Sequence, residues 1–245
     1  MKKLLLVLWA VFALPPALAQ GFSLALRLEN RPLLEDWEIA LQGTYSLELQ
    51  PELTVGLRGY ANVASVQGSG GPGPGVPGEG RGRGRPEDRG AVVGLGLSPY
   101  LEYARRLLDD PALQLGAYAG ARADLSLSLP GYAFGFDIAP YAGVDLGWLL
   151  DEDWELISNL EARFYLVPPG PYLSSYLEFD FYGFQPATLY GGYSFYLDAP
   201  LSGSPSLGQG PYLGVFYPLL EGLSAQGEVG ADGAWYAFVR LRLRF

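Results

Sequence analysis

The stretch that decides the fold is WEIALQGTYSLEL, residues 37–49, in which apolar and polar side chains alternate with a period of two. Trp37, Ile39 and Leu41 begin the apolar series, and Glu38 begins the polar one. This period is typical of a β-strand with one apolar face. The stretch is thirteen residues long, whereas strands of soluble proteins average about 5–6 residues and tilted membrane strands need about 9–11. The length therefore favours a strand that crosses a membrane.

The same alternation recurs along the chain and predicts twelve strands separated by turn-forming residues. These strands are expected near 22–28, 37–49, 53–63, 92–103, 113–127, 134–148, 154–166, 172–182, 187–197, 211–217, 223–231 and 234–245. Backbone groups in hydrocarbon must be satisfied within the protein, so membrane strands have to close on themselves. We therefore predict an all-β, closed antiparallel transmembrane barrel of twelve strands, with ten or fourteen as alternatives.

The N-terminal residues 1–19 have the composition of an export signal. Two lysines precede a short apolar run, and the segment ends in Ala-Leu-Ala. This order is typical of a cleaved signal peptide, and the apolar run is too short for a permanent membrane helix. Residues 20–245 are then expected to form a single barrel domain that is exported.

The connections between the predicted strands differ in length. A loop near 64–91, rich in Gly, Pro and Arg, and a second one over 198–210 fall on the same side of the barrel. Outer-membrane barrels have short periplasmic turns and longer external loops, so this side is predicted to be external. The segment 104–112, ARRLLDDPA, is predicted as a turn on the periplasmic side, where it is longer than usual.

The last residues, WYAFVRLRLRF at 235–245, form an alternating strand that ends in Phe245. This strand resembles the C-terminal signature of bacterial outer-membrane β-barrel proteins of the porin-like kind. In that family the assembly machinery recognises the last strand, which then pairs with the first. The resemblance implies an outer-membrane location, contact with lipid, and an interaction with the barrel-assembly machinery through Phe245.

Aromatic residues cluster near the predicted strand ends, as expected for two girdles at the membrane–water interfaces. The residues predicted for the periplasmic girdle are Tyr103, Trp148, Trp154, Phe181 and Phe245, and those for the external girdle are Trp37, Phe134, Phe195 and Trp235.

With the polar series turned inward, the lumen receives seven basic and eleven acidic side chains, a net charge of −4. The basic residues are Arg27, Arg58, Arg122, Arg163, Arg240, Arg242 and Arg244. The acidic residues are Glu38, Glu48, Glu102, Asp124, Asp137, Asp145, Glu155, Glu161, Glu178, Asp180 and Glu228. Charges that pair across the interior would close the lumen, whereas charges on opposing walls around water would sort solutes.

The function predicted from these patterns is a narrow passive channel for small polar solutes or ions. One alternative is a structural or surface-interaction barrel with a plugged lumen. A second is a soluble exported barrel that binds an apolar ligand, which requires the apolar series to point inward. The inward line of Arg240, Arg242 and Arg244 would either guide an anionic solute or form structural ion pairs.

The residues that several kinds of catalysis and metal binding require are absent from the sequence. The chain contains no histidine and no cysteine, so catalysis that depends on either, and the usual zinc and haem ligand sets, are excluded. We therefore expect no enzyme activity, no metal site and no cofactor. Without Lys2 and Lys3 the chain keeps fourteen arginines against 26 acidic residues, a net charge of −12 that argues against nucleic acid as a partner.

Overall fold

The computed structural model describes residues 21–31, 36–66, 90–129, 131–167, 169–232 and 234–245. These residues form twelve strands: β1 (Gly21–Arg31), β2 (Asp36–Gln50), β3 (Leu53–Val66), β4 (Gly90–Asp109), β5 (Leu113–Leu129), β6 (Ala133–Leu149), β7 (Trp154–Leu166), β8 (Pro169–Phe184), β9 (Ala187–Asp198), β10 (Ser206–Leu220), β11 (Leu223–Ala231) and β12 (Trp235–Arg244). Among the described residues, no helix is long and apolar enough to cross a membrane.

Each strand pairs antiparallel with its neighbours in sequence, and β1 pairs with β12. The sheet is therefore closed, and the predicted all-β barrel with twelve strands is confirmed. The predicted signal peptide over 1–19 lies outside the described residues, as do residues 67–89 of the predicted loop near 64–91.

The apolar series forms the outer face of the barrel. In the closing part of the sheet, Leu26 of β1 is the register partner of Leu41 in β2 and of Leu241 in β12. The side chains of Leu26 and Leu241 are exposed, as are most large apolar residues of this series. Period-two alternation thus places one continuous apolar surface on the outside.

Several strands extend beyond their predicted limits, and the prediction of a long turn over 104–112 is wrong. β4 continues to Asp109, which leaves only residues 110–112 as a connection. The β4–β5 register shifts between Arg106 and Leu108, as it does at a β-bulge. The successive leucines Leu107 and Leu108 break the alternation, and the extra residue of a bulge restores the parity that the sequence pattern had lost.

The two ends of the barrel carry different connections. At one end, here called the turn end, the connections are 51–52, 110–112, 150–153, 185–186 and 221–222. At the opposite end, here called the loop end, they are 32–35, 67–89, 130–132, 167–168, 199–205 and 232–234. The longer connections therefore lie together at the loop end, on the side where both long predicted loops were expected.

Candidate functional site

The polar series lies on the concave, interior face of the barrel. The Tyr118 hydroxyl on β5 donates a hydrogen bond to Glu161 on β7 at 2.9 Å, across β6. The Tyr141 hydroxyl on β6 reaches Glu102 on β4 in the same way, also at 2.9 Å. Side chains of next-nearest strands converge only on the concave side of a closed sheet, so these contacts define the interior.

The strand register places the seventeen charged residues predicted for the lumen, and Glu155 with them, on this interior face. The seventeen are Arg27, Glu38, Glu48, Arg58, Glu102, Arg122, Asp124, Asp137, Asp145, Glu161, Arg163, Glu178, Asp180, Glu228, Arg240, Arg242 and Arg244. The register adds Glu29, which opposes Glu38 across β1 and β2. Sequence reasoning missed Glu29 because the predicted first strand ended at residue 28.

Interior ion pairs run along the wall. Arg27 Nη2 lies 2.6 Å from Glu29 Oε2, and Arg122 Nε lies 2.8 Å from Asp124 Oδ2. Arg163 pairs with Glu161. Each pair joins residues two apart on one strand, whose side chains point to the same face. Other ion pairs lie at the two ends of the barrel: Arg31 with Glu29 and Asp232, Arg105 with Glu52, and Arg106 with Asp109.

Tyrosine rings lie flat against glycines of the neighbouring strand. A Cβ atom added to Gly143 would lie 2.5 Å from Cζ of Tyr118, and one added to Gly120 would lie 2.7 Å from Cζ of Tyr141. Eight interior register pairs of the described residues share this contact. They are Gly56–Tyr100, Gly96–Tyr60, Gly120–Tyr141, Gly143–Tyr118, Gly192–Tyr212, Gly208–Tyr196, Gly214–Tyr190 and Gly230–Tyr236.

The phenol groups of interior tyrosines, among them Tyr182 and several of those packed on glycines, hold interior carboxylates. Glu228 accepts hydrogen bonds from Tyr190 at 2.9 Å and from Tyr236 at 2.7 Å. Glu155 accepts one from Tyr182 at 2.6 Å. Sequence reasoning did not single out these tyrosines, although they share the parity of the charged residues, which is the signal that could have found them.

Asp124 and Asp137 are register partners on β5 and β6, so two carboxylates face each other in the interior. Asp124 accepts hydrogen bonds from Arg122 at 2.8 Å and from Ser98 at 2.5 Å. Asp137 accepts them from three backbone N–H groups, of which the nearest belongs to Ile138 at 2.7 Å. Both carboxylates are thus occupied by protein donors, which argues against a free acid–base pair.

The arginines of β12 lie beside the closing seam. Arg240 donates to the side-chain oxygen of Gln226 at 3.3 Å. Its register partner across the seam is Arg27, a like charge. Arg242 opposes Ala25, and Arg244 opposes Ser23. In this register, therefore, positive groups accumulate on the wall formed by β12 and β1.

The nine aromatic residues predicted for the interfacial girdles have the parity of the outer face or, for Phe245, directly follow the last strand. Five lie at the turn end, where the Trp154 and Phe181 rings are 4.7 Å apart and the Phe245 ring is 5.4 Å from that of Phe22. The five are Tyr103, Trp148, Trp154, Phe181 and Phe245. Four lie toward the loop end: Trp37, Phe134, Phe195 and Trp235.

A closed antiparallel barrel with a charged interior and an apolar exterior is the fold of porin-like outer-membrane proteins. Several solved structures share this fold. The KdgM porin matches at 14% identity over 91% of this chain and 99% of its own, with a TM-score of 0.50. The NanC porin matches at 10% identity over 91% and 98%, with a TM-score of 0.52.

The COG4313 outer-membrane channel from Pseudomonas putida F1 matches at 11% identity over 94% of this chain and 99% of its own, with a TM-score of 0.54. At such identities the likeness concerns the fold. No protein-family model and no curated protein matches the chain.

Proposed function

We propose that the chain is a passive channel of a bacterial outer membrane, which conducts small polar solutes or ions through the barrel interior. Export would use the signal peptide over residues 1–19, removed on the way. The loop end would face the outside of the cell and the turn end the periplasm, because outer-membrane barrels have their short turns on the periplasmic side.

The observation that carries this proposal is the direction of the interior ion pairs. The pairs of Arg27 with Glu29, Arg122 with Asp124 and Arg163 with Glu161 each run along a single strand and do not cross the bore. The paired side chains keep contact with solvent: that of Arg27 is 35% exposed and that of Arg163 is 22% exposed. Among the described residues, no side chain that carries a formal charge is buried. This arrangement favours a water-filled interior over one closed by ion pairs.

Assembly would depend on the last strand. We propose that the barrel-assembly machinery recognises the strand ending at Phe245 and that β12 then pairs with β1. The Phe245 N–H donates to the carbonyl oxygen of Phe22 at 3.0 Å, so the terminal residue lies beside the first strand. The outer face would be in contact with outer-membrane lipid.

Two alternatives compete with the channel. A plugged barrel would keep the same wall but would not conduct. A soluble barrel for an apolar ligand would need an apolar interior, and the interior register of Arg122 and Glu161 argues against it.

Conductance in a planar lipid bilayer tests the proposal on the refolded full chain. We expect discrete open-channel steps at constant voltage. A folded, inserted protein that gives no such steps would overturn the channel and favour the plugged barrel. Recovery of the protein in the soluble fraction of cells, away from the membranes, would favour the soluble alternative.

A further inference from the structure

One seam of the barrel wall lacks its backbone ladder at the loop end. The pairing of β6 with β7 ends at Tyr141 and Arg163, although β6 continues to Ala133 and β7 to Leu166. Over the same residues, β6 stays paired with β5 and β7 stays paired with β8. The stretch of 133–140 facing 164–167, all described residues, is called the β6–β7 gap below.

Pro140 explains where the pairing ends. The Leu150 N–H donates to Trp154 across this seam, whereas the Leu149 N–H donates to Ala112 of the opposite neighbour, both at 2.8 Å. Backbone N–H and C=O groups alternate in direction along a strand, so those of the even-numbered residues of β6 point towards β7. Pro140 is even-numbered and has no N–H to donate. The ladder therefore stops at Tyr141, next to Pro140, where a backbone N–H donor is missing.

Asp137 replaces the missing ladder. Its Oδ1 accepts hydrogen bonds from the backbone N–H groups of Ile138 at 2.7 Å, Leu166 at 3.1 Å and Val167 at 3.0 Å. Without this carboxylate, the two N–H groups of 166 and 167 would face the gap unsatisfied, which is strongly unfavourable in a membrane. One side chain thus holds the two strands together where their backbones do not.

A second contact closes the gap from the interior. The Arg122 guanidinium, held by Asp124, reaches across β6 to the Tyr165 hydroxyl at 3.5 Å. Ala139 lies on β6 between them in register and is fully buried. The donor–acceptor distance to Tyr165 is at the upper limit of a hydrogen bond, so this contact is weak.

Aromatic and apolar side chains lie on both sides of the β6–β7 gap, where they could contact an apolar molecule. On the interior side, the Tyr165, Tyr172 and Tyr196 rings follow one another at 6.0 and 6.2 Å. On the outer side, the edges of the gap expose large apolar side chains. These are Phe134, Phe136, Ile138, Phe164 and Leu166. Aromatic rings with polar tips inside and aliphatic and aromatic side chains outside thus give this seam apolar surface on both faces of the wall.

We propose that the β6–β7 gap is a lateral passage, by which a small apolar or amphipathic molecule moves between the interior and the outer leaflet. Asp137 is its latch: opening breaks its bonds to Leu166 and Val167 and the contact between Arg122 and Tyr165, but no backbone ladder. The proposal rests on the membrane orientation proposed above and does not depend on ion conduction.

Reversible cross-linking tests the passage. The chain has no cysteine of its own, so thiols can be placed at will. In the full chain, Ile138→Cys with Leu166→Cys places two thiols across the gap on the outer face, where a short bis-methanethiosulfonate reagent can join them. The probe is 1-N-phenylnaphthylamine, which fluoresces on entering hydrocarbon, added to cells with the barrel in their outer membrane. We expect cross-linking to lower the rate of dye entry at least threefold and a reductant to restore it.

The matched control is Val144→Cys with Leu160→Cys, register partners in the intact ladder of the same two strands. Cross-linking there should leave dye entry unchanged. Equal dye entry with the gap locked or free, or an equal decrease in the control, would overturn the passage. Bilayer conductance of the same proteins separates the two proposals, because a locked gap should leave the conductance unchanged.

A second variant opens the latch. Asp137→Ala removes the acceptor of the Leu166 and Val167 N–H groups, so we expect faster dye entry than in the unmodified barrel. A folded Asp137→Ala variant with unchanged dye entry would contradict the role of this carboxylate as a latch. If the variant does not fold, the cross-linked pair decides, because it needs no change at Asp137.

Discussion

Arg27 on β1 and Arg240 on β12 oppose each other directly in the seam that closes the barrel. Like charges in this position destabilise a strand pair. The Phe238 ring offsets the repulsion, because Cζ of Arg27 lies 4.2 Å and Cζ of Arg240 lies 5.3 Å from its centroid. Glu29 and Gln226 bind the outer sides of the two guanidinium groups. The seam is thus organised around one buried aromatic ring.

Phe238→Leu should lower the free energy of unfolding by about 1–2 kcal/mol, since two cation–π contacts are lost while most apolar volume is kept. Urea unfolding in phospholipid vesicles, followed by tryptophan fluorescence, measures the change. The loss should shrink when Arg240→Gln is already present, because one of the two cations is then absent. Equal losses in both backgrounds would contradict the role of the ring.

Arg240→Gln should raise the preference of the channel for cations over anions. Removing one positive group from the wall changes the permeability ratio by a factor of about two to five, as for a single charge a few ångströms from a hydrated ion. The reversal potential in a potassium chloride gradient gives this ratio. The control is Arg105→Gln, since Arg105 is well exposed at the turn end. A comparable shift in the control would argue against selectivity at the seam.

Gly96→Ala should destabilise the barrel by about 1–3 kcal/mol, the usual cost of overpacking. The three atoms nearest to an added Cβ all belong to the Tyr60 ring. Urea unfolding is the measurement, and Gly227→Ala is the matched control, because its added Cβ meets only Val215 at an ordinary 3.9 Å. With Tyr60→Ala present, the extra loss from Gly96→Ala should largely disappear. A persistent loss would mean that the ring is not the obstacle.

The tryptophans that follow the predicted signal peptide should report two membrane interfaces. All four, at positions 37, 148, 154 and 235, lie near strand ends on the outer face. Phospholipids brominated near the headgroup end of the acyl chains should therefore quench their fluorescence more strongly than those brominated near the methyl end. Stronger quenching by the deep bromines, or none by either, would contradict the proposed girdles.

Phe245→Ala should impair assembly in cells much more than folding in vesicles. The Phe245 side chain is 70% exposed, so its removal should change stability by less than about 0.5 kcal/mol. The amount of heat-modifiable barrel in isolated outer membranes measures assembly. Phe184→Ala at the same end, 61% exposed, is the control and should assemble normally. Equal defects in both variants would argue against recognition of the terminal residue.

Alternation alone was enough to predict the closed barrel of twelve strands. Leu107 and Leu108 mark its limit, because two successive leucines look like the end of a strand when they are the site of a bulge. The end of a strand depends on how far the neighbouring strand continues. β4 extends to Asp109 because Gln114 on β5 is there to pair with it. That information lies in the partner strand rather than in the segment itself.

The contacts within the site were harder to predict. Gly96 and Tyr60 lie far apart in sequence and meet only because one register brings them opposite each other. Asp137 was predicted as one of several lumen charges, yet its carboxylate binds backbone N–H groups of residues 166 and 167. Its role follows from the missing donor at Pro140 on the same strand, which becomes visible only when the ladder is known.

The flattened tyrosines bear on what a permeating molecule would encounter. Eight rings lie over glycines, which have no side chain, so these rings lie along the wall and project little into the bore. Upright rings at the same positions would narrow the bore from several directions at once. We therefore expect these eight rings to narrow the bore less than upright rings would, and we expect discrimination between solutes to depend on the interior arginine and carboxylate groups.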